Sequence, residues 1–420
     1  MKIALALSAA TLALVAMPAD AQRAPRGERG QPQAAPASTV TTTGGRTLAL
    51  SKEARPAIAA LKAAVDARDA AAFATALPAA QAAAKNVDDR YAIASLRYQF
   101  VQGGTDKAAQ LAAIEGLIEA GGATPSQLAQ YHRAIGQLAF DTGKFDRAAQ
   151  AFAEVDRLQP NDPEVLSNLS IIHIRRGKEA EALAAIQRAV EAQRALGQPV
   201  SQDWLKNMRS LASRQKNNPL TLKANYDLLA AYPTAENWRD GLQLHQSLVP
   251  LDETGELDRL RLMRATGALH GERAYRYMAE VLLQRGFSGE AKAVLDEGVA
   301  KNQVNRSEPT FAALIRQANT KADANRGTLA SAERGLTTAR QFQGIADANY
   351  GFGNYTKAAE LYRRALAAGG GDPSLLNLRL GMALAQAGDK AGAQTAFNSV
   401  TTGPRADLAR YWLLWTNGRA

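Results

Sequence analysis

Cysteine is absent from the 420 residues, aromatic residues make up only 6% of them, and β-branched runs are scarce. The lack of cysteine excludes disulfides, thiolate metal sites, thiol nucleophiles and a lipoprotein anchor. The scarcity of aromatic and β-branched residues, beside an abundance of alanine, favours helices over strands. Apolar residues are 46% of the chain, which is enough for a continuous core. We therefore expect an all-α protein.

The N-terminus has the pattern of a secretory signal. Lys2 precedes an apolar stretch over residues 3–17, and residues 19–21 (Ala-Asp-Ala) offer a small-x-small cleavage site before Gln22. The stretch is shorter than the roughly 20 residues of a membrane span, and no later segment is long and apolar enough to cross a bilayer. We predict a signal peptide over residues 1–21, a periplasmic mature protein and no membrane span in it; an uncleaved anchor is the alternative.

The charge balance gives only a weak indication of the class of partner. Lysine and arginine number 50 against 40 acidic residues, for a net charge of +10. This balance favours acidic partners or surfaces, but the basic residues are scattered and form no block. An exported chain rarely meets nucleic acid and no recognition motif is present, so no nucleic-acid partner is predicted.

Beyond the signal, the composition changes twice. Residues 22–47 are rich in Pro, Gly, Gln, Ser and Thr and nearly free of large apolar side chains, so a flexible tether is predicted. From about Ser51 onward, apolar residues recur at i, i+3, i+4 and i+7 in segments separated by short turn signals, which indicates helix after helix. Proline directly after Thr124, Asp162 and Asp372 marks three helix starts.

These helices repeat at a fixed offset. The stretch "FDTGKFDRAAQAFAEVDRLQPNDPE" belongs to a copy that starts at residue 129, and a second copy starts 34 residues later, at residue 163. The first copy carries its signature at Ile135, Gly136, Ala139, Gly143, Phe145, Ala148, Phe152, Val155 and Pro160. The second carries it at Leu169, Ser170, His173, Gly177, Ala182, Ile186 and Ala189.

The pattern resembles the tetratricopeptide repeat (TPR), which has small residues at positions 8 and 20, large ones at 4, 7, 11 and 24, and proline at 32. Small side chains let the two helices of a hairpin approach closely, and large ones fill the space between neighbouring hairpins. The resemblance implies a right-handed superhelical α-solenoid of antiparallel helix hairpins. Three further copies start at residues 272, 339 and 374.

The TPR signature is clear in some segments of the chain and degenerate in others. Trp412 and Trp415 are predicted to pack inward from a final helix. The predicted segments are a signal peptide (1–21), a disordered tether (22–47), degenerate helical repeats (48–128), two clear TPR units (129–196), degenerate hairpins (197–271), one TPR unit (272–305), an irregular helical pair (306–338), two TPR units (339–403) and a C-terminal capping helix (404–420).

Catalytic motifs are mostly missing. The chain has no phosphate-binding Walker loop, no G-x-S-x-G elbow and no H-E-x-x-H pair. The four histidines, at 132, 173, 245 and 270, fall at no metal-ligand spacing, and "GFGNYT" (residues 351–356) is interpreted as an inter-helix turn. Acidic residues such as Glu154, Glu181 and Glu297 suggest a glycosidase pair only if a separate compact domain supplies the cleft. No metal, no cofactor and no enzymatic activity are predicted.

Binding residues follow from the resemblance. In TPR arrays, positions 2, 5, 9 and 12 of the first helix line the concave groove, joined by position 6 in some repeats. Transferred to this sequence, these positions give a candidate groove of Gln130, Arg133, Gln137, Phe140, Asn168, Ile171, Gln202, Lys206 and Arg209. TPR domains that dock chaperones clamp a C-terminal carboxylate with Lys, Asn and Arg at such positions. Only Asn168 is identical to that clamp, although Arg133 and Lys206 keep part of its charge.

Three functions remain open at this point. The first is an exported scaffold that binds a partner protein or extended peptide in its concave groove, with Arg133 and Lys206 flanking an acidic or C-terminal carboxylate group. The second is an envelope polysaccharide or peptidoglycan export or assembly factor, which exposed Trp204 and Trp238 would favour. The third is an enzyme with a superhelical α-domain. The partner, the pathway and the oligomeric state do not follow from the sequence.

Overall fold

The computed structural model describes residues 39–41 and 47–418. The predicted signal peptide and the tether up to residue 38 lie outside the described residues. The chain divides into two compact units. The boundary between them along the sequence falls between Pro199 and Val200. Each unit is described by itself below.

The first unit consists of a short β-hairpin followed by helices. Its elements are β1 (Thr39–Thr41), β2 (Thr47–Ala49), α1 (Arg55–Asp66), α2 (Ala70–Ala83), α3 (Val87–Val101), α4 (Lys107–Glu119), α5 (Pro125–Asp141), α6 (Phe145–Leu158), α7 (Pro163–Arg175) and α8 (Glu179–Ala195).

All regular elements in the described residues of the second unit are helices. Its elements are α9 (Gln202–Arg214), α10 (Asn218–Ala231), α11 (Ala235–Leu248), α12 (Glu253–Ala265), α13 (Glu272–Gln284), α14 (Ser288–Ala300), α15 (Pro309–Ala332), α16 (Ala339–Gly351), α17 (Tyr355–Ala368), α18 (Pro373–Ala387), α19 (Lys390–Asn398) and α20 (Pro404–Gly418). The predicted all-α, TPR-like fold of antiparallel helix hairpins is confirmed in both units.

The helices begin where the capping signals lie. The Asp162 carboxylate accepts hydrogen bonds from the first backbone N–H groups of α7, and Asp372 does the same for α18. Thr124 and Gln127 form a reciprocal capping box at the start of α5. Each cap satisfies backbone donors that have no partner inside the helix. The three predicted helix starts are therefore those of the structure.

The β-hairpin is a departure from the predicted tether, which ran to residue 47. β1 pairs antiparallel with β2, and Leu48 of β2 is buried in the core of the first unit. The next residues are anchored to α3: the Ser51 backbone N–H and hydroxyl donate to the buried Asp89 carboxylate at 2.9 and 2.7 Å. Burial alone would raise the pKa of Asp89, but these hydrogen bonds outweigh it and lower the pKa. A composition poor in apolar residues does not reveal such long-range anchoring.

Helix α15 is a second departure. The sequence predicts an irregular pair of helices over residues 306–338, whereas the structure has one helix of 24 residues. A glycine inside a helix, here Gly327, costs only about 1 kcal/mol relative to alanine. Tertiary contacts offset such a cost, and Asn325 donates a hydrogen bond to Ser288 of α14 at 2.8 Å. A glycine in the middle of a periodic segment is therefore a weak stop signal.

The final helix closes the second unit. Trp412 of α20 is completely buried, and Trp415 is partly buried against the same core, as predicted for a capping helix. Helix α20 also contacts α10 and α12, and Asn225 of α10 donates to the Tyr411 hydroxyl at 2.9 Å. Contacts in this unit thus join elements that are far apart in sequence, in addition to neighbouring hairpins. No helix within the described residues is both long and apolar enough to cross a membrane.

Candidate functional site

Six of the predicted groove residues lie in the first unit, on α5 and α7. Gln130 is exposed, and the other five are partly exposed. They are Gln130, Arg133, Gln137, Phe140, Asn168 and Ile171. The remaining three, Gln202, Lys206 and Arg209, lie on α9 of the second unit and are partly exposed. The predicted set is therefore distributed over both units.

Several of these side chains already have partners within the protein. Arg133 donates to the Asp162 carboxylate at 2.5 Å, and Gln137 donates to Asp141 at 2.8 Å. In the second unit, Arg209 donates to the buried Asn225 at 2.9 Å. A ligand anion at Arg133 would have to compete with Asp162, which also caps α7. This hydrogen bond from Arg209 joins α9 to α10.

A small cavity lies beside Gln137 in the first unit. Its volume is about 210 Å³, and α3, α4 and α5 supply its walls. Sequence reasoning missed the residues from α3 and α4, because the repeat signature is degenerate before residue 129. The polar ones are Tyr98, Gln102, Lys107 and Gln110. Burial raises the pKa of Tyr98, so this side chain offers a neutral hydroxyl.

In the second unit, two of the corresponding repeat positions are buried instead. Asp347 occupies position 9 of its repeat and Arg379 occupies position 6 of the next. Arg379 Nη1 donates to the two oxygens of Asp347 at 2.8 and 2.7 Å. Arg379 Nε donates to the two oxygens of Asp258, from α12, at 3.3 Å each. Asp258 of helix α12 therefore contacts positions that the repeat pattern assigns to an open groove.

The ion pairs continue into a buried network. Arg261 donates to Asp258 at 2.8 Å and to both oxygens of Glu290, the shortest contact being 2.6 Å. Tyr362 donates its hydroxyl to Asp347 at 2.5 Å. Burial alone would lower the pKa of Arg261, but the carboxylates outweigh it and raise the pKa. The guanidinium therefore stays charged inside the core.

A larger cavity, of about 400 Å³, adjoins this network. We call it the α12–α16 cavity. Its walls come from α12, α14, α15, α16, the turn after α16, α17 and α18. The side chains used below are Arg264, Glu297, Arg326, Tyr350, Phe352 and Tyr355. The "GFGNYT" stretch contributes four of its residues to this wall. Gly353 has a φ of +80° in the predicted turn, which a glycine adopts without strain.

The environment of His245 is relevant to a metal or catalytic role, and the exposure of Trp204 and Trp238 is relevant to glycan binding. His245 is completely buried, and neither ring nitrogen has a hydrogen-bond partner among the described residues. Burial, with a smaller effect of Arg259, lowers the pKa of His245 to about 3, so the ring is neutral. Trp238 is 2% exposed and belongs to the core, whereas Trp204 is partly exposed. Trp238 therefore offers no platform for a glycan.

Comparisons with known proteins address the family. A model described as tetratricopeptide repeat matches residues 133–196 and 344–407. The solved structure of MamA protein is similar, with 16% identity, a TM-score of 0.29, and coverage of 50% of this chain and 98% of that one. The TPR2AB domain of yeast Sti1, in a complex with pHSP90, has 14% identity, a TM-score of 0.25, and coverage of 70% and 99%.

A tetratricopeptide repeat protein from Parabacteroides merdae has 16% identity, a TM-score of 0.23, and coverage of 70% of this chain and 100% of that one. Identities and TM-scores this low carry no argument about partners or activity. A comparison with the curated proteins finds no match. The matched segments fall on α5–α8 and on α16–α20, so the chain contains tetratricopeptide repeats in each of its two units.

Proposed function

We propose that the chain is a non-catalytic scaffold that binds a partner protein or extended peptide on the face of α5 and α7 formed by Gln130, Arg133, Gln137, Phe140, Asn168 and Ile171. The observation that carries the proposal is the contrast between the units. Two comparable repeat positions of the second unit, Asp347 and Arg379, are buried in an ion network with Asp258 of α12, whereas in the first unit this face keeps its side chains accessible. A rigid stack of helices presents such a face without an ordering cost of its own.

The chemistry of this face suits an acidic partner. Arg133 supplies a positive charge, and Gln130, Gln137 and Asn168 supply amide donors and acceptors. Ile171 is partly exposed and gives an apolar contact. A few such anchors supply most of the affinity in typical interfaces. A partner carboxylate would replace Asp162 as the acceptor for Arg133, with a charge-assisted hydrogen bond.

Titration of a short Glu-rich peptide with a free C-terminal carboxylate tests this proposal. We expect Arg133→Ala to weaken binding about tenfold, because a hydrogen bond to a charged group contributes about 1.5 kcal/mol or more. Calorimetry of the full chain, with the amidated peptide in parallel, provides the measurement.

Arg157→Ala is the matched control, because Arg157 is an exposed arginine on α6 whose one ion pair among the described residues is with Glu154. We expect this variant to bind as the unmodified protein does. Equal affinity of Arg133→Ala and Arg157→Ala for the peptide would remove the α5–α7 face as the binding site. Arg133→Lys separates charge from geometry, since it keeps the charge and loses the planar fork.

Export is the second part of the proposal, and it rests on the N-terminal sequence pattern. The positive start, the apolar stretch and the Ala-Asp-Ala motif predict removal of residues 1–21. We expect the protein recovered from a periplasmic extract to begin at Gln22 when its N-terminus is sequenced. A protein that retains Met1 and stays in the cytoplasmic fraction would contradict export.

A further inference from the structure

The α12–α16 cavity holds more positive than negative side chains. Four basic residues line it (Arg261, Arg264, Lys292 and Arg326) against three acidic ones (Glu290, Asp296 and Glu297). Each carboxylate already has a cation. Glu290 pairs with Arg261, Glu297 pairs with Arg264 and Lys301, and Asp296 pairs with Lys292. The cavity therefore has no free carboxylate with which to attract a cation.

Two of the arginines keep unused hydrogen-bonding capacity. Arg264 donates from Nε to Glu297 at 2.6 Å, and its two terminal nitrogens make no hydrogen bond to the described residues. Its side chain is 26% exposed, so it is only partly desolvated. Arg326 lies 5.2 Å from the centre of the Phe352 ring and has no ion pair within the described part of the chain. Arg326 is therefore the lining cation with no ion pair to a described residue, and Arg264 is a paired guanidinium whose terminal N–H groups remain available as donors.

Aromatic side chains complete the cavity. Tyr350, Phe352 and Tyr355 line it together. Burial raises the pKa of Tyr350 and of Tyr355, so both remain neutral phenols near pH 7. Neutral phenols donate hydrogen bonds and repel no anion. The wall thus combines positive charge, neutral donors and flat apolar surface.

We propose that the α12–α16 cavity binds a small organic anion, whose carboxylate or phosphate group is held by Arg264 and Arg326 and whose body packs against Tyr350, Phe352 and Tyr355. The guanidinium fork presents parallel N–H donors that match the oxygens of a carboxylate or a phosphate. A cavity of about 400 Å³ is within the range of small-molecule sites. This site lies in the second unit and is independent of the proposed peptide face on α5 and α7.

The experiment compares three small aromatic probes by calorimetry on the full chain at constant ionic strength. Benzoate carries a carboxylate, phenyl phosphate carries a phosphate, and benzamide is the neutral analogue of benzoate. We expect saturable binding of at least one of the two anions and no binding of benzamide. Benzoate binding alone assigns a carboxylate ligand, and phenyl phosphate binding alone assigns a phosphate ligand.

Arg326→Gln and Arg264→Gln are the test variants, and each should weaken binding of the anion about tenfold or more. Arg316→Gln is the matched control, because Arg316 is exposed on the same helix α15 and does not line the cavity. If Arg264→Gln fails to fold, Arg326→Gln decides, since Arg326 is exposed and has no ion pair with a described residue. Absence of binding by both anions, or equal binding by Arg326→Gln and Arg316→Gln, overturns the proposal.

Discussion

Replacement of Arg379 by methionine is expected to destabilise the second unit by about 3 to 5 kcal/mol, which is the usual cost of removing one partner from a buried ion pair. Arg379 is the only described cation that contacts both Asp258 and Asp347, and all three side chains are nearly inaccessible to solvent. Burial alone would lower the pKa of Arg379, but the two carboxylates raise it, so this group is charged in the folded state. Its loss leaves Asp347 buried without a cation.

One feature of Arg379 limits this cost. Its second terminal nitrogen, Nη2, is buried and makes no hydrogen bond within the described residues. The guanidinium therefore does not recover its full desolvation penalty. Removal of a carboxylate along with the arginine should restore part of the stability, because it removes the uncompensated charge. We expect the Arg379→Met, Asp347→Asn double variant to be more stable than Arg379→Met alone.

Urea unfolding of the full chain, followed by hydrogen exchange, measures this effect. Exchange should accelerate in α12, α16 and α18 and stay unchanged in α5–α8 of the first unit. Arg363→Met is the matched control, because Arg363 is an exposed arginine on α17 with no ion pair among the described residues. A loss of stability no larger than that of the control would show that the buried network contributes little.

The network also shows what the repeat pattern could and could not predict. The pairing of Asp347 with Arg379 joins residues 32 apart, which is close to the repeat period. Asp258 lies 121 residues from Arg379, and its helix belongs to a segment with degenerate spacing. A periodic sequence pattern reports contacts between neighbouring hairpins. It holds no information on which distant helix packs against a given repeat position.

Local signals were sufficient for the helices of the clear repeats and for the packing of their hairpins. The capping residues Thr124, Asp162 and Asp372 fixed helix starts, and the small residues at repeat positions 8 and 20 fixed close helix pairs. The α12–α16 cavity could not be predicted from the sequence, for a different reason. Its wall combines side chains from several helices, and no two of the three residues Arg264, Arg326 and Tyr350 lie within 20 positions of each other.

The same reasoning applies to the residues of the proposed peptide face and of the cavity beside Gln137. Resemblance to the repeat named residues on α5 and α7, because their position numbers were clear. It gave nothing for Tyr98 or Lys107, since α3 and α4 carry no recognisable signature. It named Arg209 as a groove residue without indicating that its guanidinium donates a hydrogen bond to Asn225. Position numbers predict which face of a helix a residue occupies, and hydrogen-bond partners depend on the neighbouring helix.

Replacement of Gly136 by leucine is expected to destabilise the first unit by about 1 to 3 kcal/mol, the typical cost of overpacking a close-packed core. Gly136 lies at repeat position 8, where α5 approaches α6. A Cβ atom there would lie 2.7 Å from two carbons of the buried Phe152 ring. Because the Phe152 ring is buried, it would have to shift within a close-packed core to accommodate this atom. Even Gly136→Ala should therefore be destabilising, although alanine has the higher helix propensity.

Gly344 provides the matched control, because it lies inside α16 and a Cβ atom there would meet nothing within 4 Å. Gly344→Ala should stabilise the protein by about 0.5 to 1 kcal/mol through helix propensity alone. Hydrogen exchange should locate the loosening caused by Gly136→Leu in α5, α6 and the helices next to them, since repeats transmit damage mainly to neighbours. A second substitution, Phe152→Leu, should recover part of the stability of Gly136→Ala by making room. Stabilisation by Gly136→Ala of the same size as that by Gly344→Ala would mean that α5 and α6 do not pack as closely as the structure shows.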